Sequence, residues 1–243
     1  MVGAEMMKDS TYRLIAWLFD AMLWGGELVG NEALPDGPVV FVSNHLGAVG
    51  PIAVISSLPV RVYPWVVSDM LDKDKAAAYL KQDFVEPQLH LSPPLSSWVS
   101  DGIAKISVRL LASAGCIPVW QGEQVRETFE QSVQLLNEGK SLLIFPEDPS
   151  KEVDPQYKMT PFYKGFARLG ELYFEQTARP LRFFPLAVHL GSYRVKIGAP
   201  IAYNSKNPAA NERLRIKNVL EASIREMYLD MGAKGFAGIP IQH

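Results

Sequence analysis

The stretch VVFVSNHLGAVGP (39–51) runs five largely apolar residues into Asn44-His45, then a small glycine-bearing turn and a proline. An imidazole with an ordinary pKa of about 6.5 is neutral enough at pH 7 to take a proton from a hydroxyl. A second apolar run, SLLIF (141–145), ends in Pro146-Glu147-Asp148, at the head of a charged loop carrying four prolines, PEDPSKEVDPQYKMTP. A base and two carboxyls therefore follow two separate apolar runs. The simpler reading is structural: Asn44 and His45 hydrogen-bond the turn that leaves a strand, and Glu147 is a surface carboxylate. No serine or cysteine nucleophile signature accompanies them. His90, His189 and His243 show no metal-ligand spacing, so no metal site is expected.

The elements that would position these residues alternate between strand and helix. Strands are expected at 39–43, at 60–67 (broken by Pro64), over CIPVW (116–120), at 141–145, over LRFFPLAVH (181–189) and over YRVKIG (193–198). Helices are expected at 74–82, at 95–115 with Gly115 as the stop, over 123–141, over 162–177 and over 209–229. In the 123–141 segment Val125, Phe129, Val133 and Leu136 share one face, and Gly139 ends it. The segment 83–95 reads as an irregular surface excursion or lid. Such alternation implies an α/β fold with a mostly parallel central sheet flanked by helices. In sheets of that kind the loops leaving the carboxyl ends of strands gather the chemistry. NHLGAVGP and PEDPSKEVD are two such loops.

Composition narrows the class further. The 243 residues include 48% apolar and 21% charged side chains, ordinary values for a globular chain and unlike a disordered one. A formal net charge of −2 gives no electrostatic pointer to nucleic acid. The single cysteine, Cys116, excludes an internal disulfide and suits a reducing compartment. The N-terminus lacks the layout of a secretory signal. The segment YRLIAWLFDAMLWGG (12–26) is apolar at helical spacing, with Arg13 and Asp20 its only charges. A helix of that length is about 22 Å long, short for a bilayer. It reads either as a helix packed on the domain or as an amphipathic helix lying in a membrane interface, with Trp17, Leu18 and Trp24 facing lipid or the mouth of an apolar tunnel. The expected organisation is an amphipathic helix at 1–28, an α/β domain at 29–230 and a tail at 231–243.

Four segments in order resemble the sequence blocks of the glycerol-phosphate and lysophosphatidic-acid acyltransferase family. GNEALPDGPVVFVSNHLGAVGP resembles the block in which a strand delivers Asn-His, four further residues and an Asp. AGCIPVWQGE resembles the second block, EGKSLLIFPEDPSK the Phe-Pro-Glu-Gly-Thr-Arg block, and LRFFPLAVH with VKIGAPI the fourth block and closing strand. The resemblance covers roughly residues 26 to 230. It implies transfer of a fatty acyl group from a thioester of coenzyme A or acyl carrier protein to a lipid-like hydroxyl or amine, with no further cofactor. His45 would be the general base, with Asn44 bracing its turn. Phe145, Pro146, Glu147, Gln121, Arg126 and Lys151 would place the acceptor. The implied location is cytoplasmic and peripheral to a membrane.

Four departures from the family pattern stand out. Gly50 occupies the place of the acid that would orient the imidazole, Gln121 the place of the second block's arginine, and Asp148 that of the third block's glycine, and the third block's arginine is absent from its usual place. In a serine-protease triad, losing the orienting acid lowers the rate about 10⁴-fold, largely through the wrong tautomer. Asp148, Glu147 or a backbone carbonyl is the expected stand-in. Two readings follow: an acyltransferase whose acceptor lacks the glycerol-phosphate head, or a catalytically silent relative that binds lipid or acyl thioester.

Overall fold

The computed structural model describes residues 6–30, 34, 37–47, 49–81, 85–86, 90 and 92–233. Helix α1 (Asp9–Phe19) runs on into one wider π turn, Asp20–Trp24, before strand β1 (Glu27–Val29). Then come β2 (Val39–Ser43), α2 (Val49–Ser57), β3 (Val62–Val67) and α3 (Ala76–Leu80). After α4 (Leu95–Ala114) the order is β4 (Ile117–Val119), α5 (Val125–Asn137), β5 (Ser141–Ile144) and α6 (Arg168–Thr177). The chain closes with β6 (Arg182–His189), β7 (Arg194–Ile197), β8 (Ile201–Ala202) and α7 (Ala209–Ala233).

The strands form one sheet in the order β1-β7-β6-β2-β5-β3-β4, with β8 also on β6. All pairings are parallel except those that β6 makes with β7 and β8. Every residue of β2 is buried, which is why it reads as an unbroken apolar run and not an alternating one. Its side chains divide the molecule into layers. Val40 and Val42, with Leu142 and Ile144 of β5, pack against Phe129, Val133 and Leu136 of α5, Leu169 of α6 and Ile216 and Leu220 of α7. Val39 and Phe41 face the other way, onto Trp24 and onto Ala53 and Val54 of α2.

Several expectations change in detail. Pro64 does not break its strand. It pairs with Leu143, and β4 joins β3 only from Trp65 onward, so the missing N–H falls where β3 has a single neighbour. The helix expected from Phe162 begins later. The Phe162 N–H is taken by the Glu221 carboxylate and that of Tyr163 by the Pro146 carbonyl, so helical turns start only at Gly165. Gly115 does end α4, in the left-handed conformation at φ 83° that glycine adopts without strain. The closing helix reaches Ala233 with Met231 buried. Most of the 83–91 stretch, and the tail from 234, lies outside the described residues.

The N-terminal helix packs one side on the domain and leaves an apolar side exposed. Tyr12 is buried and its hydroxyl accepts from the Val62 N–H. Leu14, Trp17, Leu18, Met22 and Leu23 are exposed, Met22 at 77%. Trp24 corrects the expectation that it faces lipid. It is 4% exposed, and its indole N–H donates to Ser57 Oγ at 3.0 Å, which pins the π turn to α2. Among the described residues no helix is long and apolar enough to cross a membrane.

Candidate functional site

In the sheet, β2 lies between β5 and β6 and runs parallel to both. Adjacent strands are about 4.8 Å apart, so their carboxyl ends form one short rim. His45 leaves β2, Glu147 follows β5, and His189 ends β6 on that rim. The exit of β2 is held by Asn44, which is fully buried. Its Nδ2 donates to the Val188 carbonyl at 3.1 Å, and its Oδ1 accepts from the Val188 N–H at 2.8 Å. The side-chain amide copies a backbone pair and extends the β2–β6 ladder by one rung. Gly47 then turns the chain at φ 58°, and α2 begins at Val49. Pro51 falls in the first helical turn, where an N–H has no intrahelical partner to lose.

His45 stands exposed at this turn. Its ring meets Phe145 edge-on, with centroids 5.2 Å apart and planes at 90°. Its backbone N–H donates to Glu147 Oε1 at 2.5 Å, and Glu147 Oε2 accepts from the Thr160 N–H at 2.9 Å. One carboxylate thus ties the exit of β2 to the far side of the 146–161 loop. Burial pushes the Glu147 carboxyl above its ordinary value, while the bonds from His45 and Thr160 pull the other way. The loop is more ordered than its prolines suggest. Glu147 bridges Phe162 in antiparallel fashion, Asp148 N–H donates to Pro161 O, and Asp154 bridges Met159. Glu221, on α7, anchors this hairpin through the Phe162 N–H at 3.2 Å and is itself paired with Lys217 and Arg225.

The sequence-predicted residues separate into those the rim gathers and those it does not. Asn44, His45, Phe145, Pro146 and Glu147 come together. Phe145 and Pro146 serve this cluster structurally, through the His45 ring and the Tyr163 N–H. Asp148 stands beside them with its carboxylate already engaged: Oδ1 accepts from Ser150 N at 2.9 Å, Ser150 Oγ at 2.6 Å and Tyr163 Oη at 2.7 Å. The Ser150 hydroxyl, then the Tyr163 hydroxyl, hold its pKa below the usual carboxylate value. The stand-in role expected of Asp148 therefore competes with loop-holding, and the acid bonded to the His45 backbone is Glu147. Lys151 is exposed in the same loop.

Gln121 and Arg126 are placed apart. They follow β4, three strands from β2 and so about 14 Å along the rim. Arg126 pairs with Glu130 across one helical turn at 2.6 Å. The strand order, which no local motif encodes, sets that separation.

Gly50, at the vacant acid's place, is buried in the first turn of α2. A Cβ built there would lie 3.5 Å from Leu46 Cβ, 3.6 Å from the His45 carbonyl carbon and 3.7 Å from the Asn44 oxygen. These are ordinary contacts, and they aim a side chain at this position toward the His45 segment.

Sequence reasoning missed Thr160, Val188, His189 and Glu221. His189 Nδ1 accepts from the Ser192 N–H at 3.1 Å, which leaves the ring proton to Nε2 in the neutral form, and its ring lies on Tyr228 at 4.7 Å. Burial holds its pKa below the ordinary value. The one signal available for any of them was the Lys217, Glu221, Arg225 spacing on α7, which predicts helical ion pairs but not the carboxylate's inward reach.

The architecture, a mostly parallel sheet with helices on both faces, resembles that of a solved acyltransferase. One solved structure it resembles is the 1-acyl-sn-glycerophosphate (LPA) acyltransferase PlsC from Thermotoga maritima. The TM-score is 0.55 over 93% of this chain and 84% of that one, at 13% identity. No protein-family model matches the sequence, and no curated protein does. The likeness is one of fold.

Proposed function

We propose that the protein is an acyltransferase that moves a fatty acyl group from a coenzyme A or acyl-carrier-protein thioester to a lipid-like hydroxyl or amine. The observation that carries this reading is His45: an exposed imidazole at the exit of a central strand, braced by the buried Asn44 pair and the Glu147 carboxylate. The imidazole takes the acceptor's proton as the acceptor oxygen or nitrogen attacks the thioester carbonyl. The tetrahedral adduct then collapses, the carbon–sulfur bond breaks, and the imidazolium returns its proton to the leaving thiolate. No covalent bond to the protein forms. Fixing the His45 N–H and the side chain of the preceding Asn44 limits the positions the ring can take, which favours a productive approach. Glu147 and Lys151 help place the acceptor, and Asp148 is a candidate to steady the ring in place of the missing acid. The exposed Leu14, Trp17, Leu18, Met22 and Leu23 suit an interfacial helix that brings the rim to a membrane holding the acceptor.

The silent, lipid-binding reading is favoured by two observations, the glycine at position 50 and the engagement of Asp148 by Ser150 and Tyr163. One experiment separates the two. Purified protein and its His45→Ala variant are incubated with long-chain acyl thioester and a lipid extract, and acylated products are measured. Product in the wild type, reduced at least a hundredfold in the variant, is the expected result. Equal product in both samples, or none in either, overturns the enzymatic reading.

A further inference from the structure

On the face of the sheet opposite α2, helices α5 and α6 lie side by side. Each follows a loop that starts on the carboxyl rim, so both point their amino ends toward it. Between them runs a groove of about 470 Å³, within the range of small-molecule sites. Its floor is apolar: Phe129 and Val133 from α5 and Leu172 from α6. A hydrogen bond from Asn137 Nδ2 to Gln176 Oε1, at 2.7 Å, joins the two helices at the far end. From Arg126 to that bond the groove is about 16 Å long, at the helical rise per residue.

The near end is cationic. Arg126 and Arg168 flank the mouth. The Arg168 guanidinium lies over the Phe129 ring at 5.8 Å, and among the described residues it has no carboxylate partner. The Arg126 pair with Glu130 is highly exposed on both sides, a kind of ion pair worth little and readily exchanged for another anion. An apolar trough with guanidinium groups at only one end complements a molecule with an alkyl chain and one anionic head.

We infer that the groove between α5 and α6 binds a single-chain anionic amphiphile, with its carboxylate or phosphate between Arg126 and Arg168 and its chain along Phe129, Val133 and Leu172. This site is separate from His45 and does not depend on acyl transfer. The test is calorimetric titration of the full chain, below micelle-forming concentrations, with laurate, dodecyl phosphate, dodecanol, butyrate and inorganic phosphate. Laurate or dodecyl phosphate should saturate one site, and their ratio identifies the preferred head. Dodecanol, butyrate and phosphate should each bind at least tenfold more weakly. Arg168→Gln, a surface change, should weaken the anionic amphiphile roughly tenfold, as for one charge-assisted hydrogen bond. His45→Ala should leave binding unchanged. No saturable binding, equal binding of dodecanol, an unaffected Arg168→Gln variant or loss of binding in His45→Ala would each overturn the inference.

Discussion

Replacing Asn44 with alanine removes a side chain that closes two hydrogen bonds to one residue. Val188 is fully buried, so neither its N–H nor its carbonyl finds water in exchange. Each lost bond is worth about 1 kcal/mol net, and each orphaned buried group adds about 1–3 kcal/mol when nothing replaces its partner. Because these ranges overlap and some relaxation occurs, the expected destabilisation is about 2–5 kcal/mol, against a typical total of roughly 5–15 kcal/mol. Urea unfolding at pH 7 measures it, and amide exchange at Val188 localises it. Asn44→Asp sharpens the test, because it keeps the shape but sets a carboxylate oxygen against the Val188 carbonyl. Protonation restores a donor, so the folded-state pKa of the new acid rises above its unfolded value of about 3.9. That variant should be most nearly native below about pH 4 and lose stability as pH rises through the folded-state pKa. An alanine variant within about 0.5 kcal/mol of the wild type, with the Val188 amide still protected, would refute the reasoning.

Other predictions concern the altered acid, the two tryptophans and a half-buried ion pair. Gly50→Asp should fold, since a Cβ there makes only ordinary contacts and an acid suits a helix's first turn. On the proposed mechanism it should raise turnover at least tenfold, and an unchanged rate in a folded variant would show that the acid is not the missing part. Trp24→Ala should lose about 3–5 kcal/mol in urea unfolding, from its cavity and the bond to Ser57. Trp17→Ala, 62% exposed, should stay within about 0.5 kcal/mol yet weaken sedimentation with lipid vesicles. The Arg215 hydrogen bond, ahead of those from Asn207 and Asn204, lowers the Glu212 pKa from 4.5 to about 2. The folded value lies below the unfolded one, so this contribution is present above pH 4.5 and lost as pH falls toward 2. Glu212→Gln should therefore flatten the dependence of unfolding free energy on pH in that window.

The sequence by itself determined most of the longer elements and their faces, though not α2, because burial writes local patterns. An unbroken apolar run such as 39–43 fits a strand covered on both sides, and the spacing of Phe129, Val133 and Leu136 fits one helical face. It also marked the two rim loops, since apolar runs ending in Asn-His and in Pro-Glu-Asp are visible without a fold. Three-residue β1 left no such trace, because a short edge strand buries too little to pattern its sequence. Tertiary structure alone decided the partners. Asn44 meets a backbone 144 residues away, and His45 meets a carboxylate 102 residues away. Which acid takes the His45 N–H, and that Gln121 and Arg126 stand three strands off, depend on strand order and hairpin closure. Those are set by the packing of both faces of the sheet at once, and no window of neighbouring residues contains them.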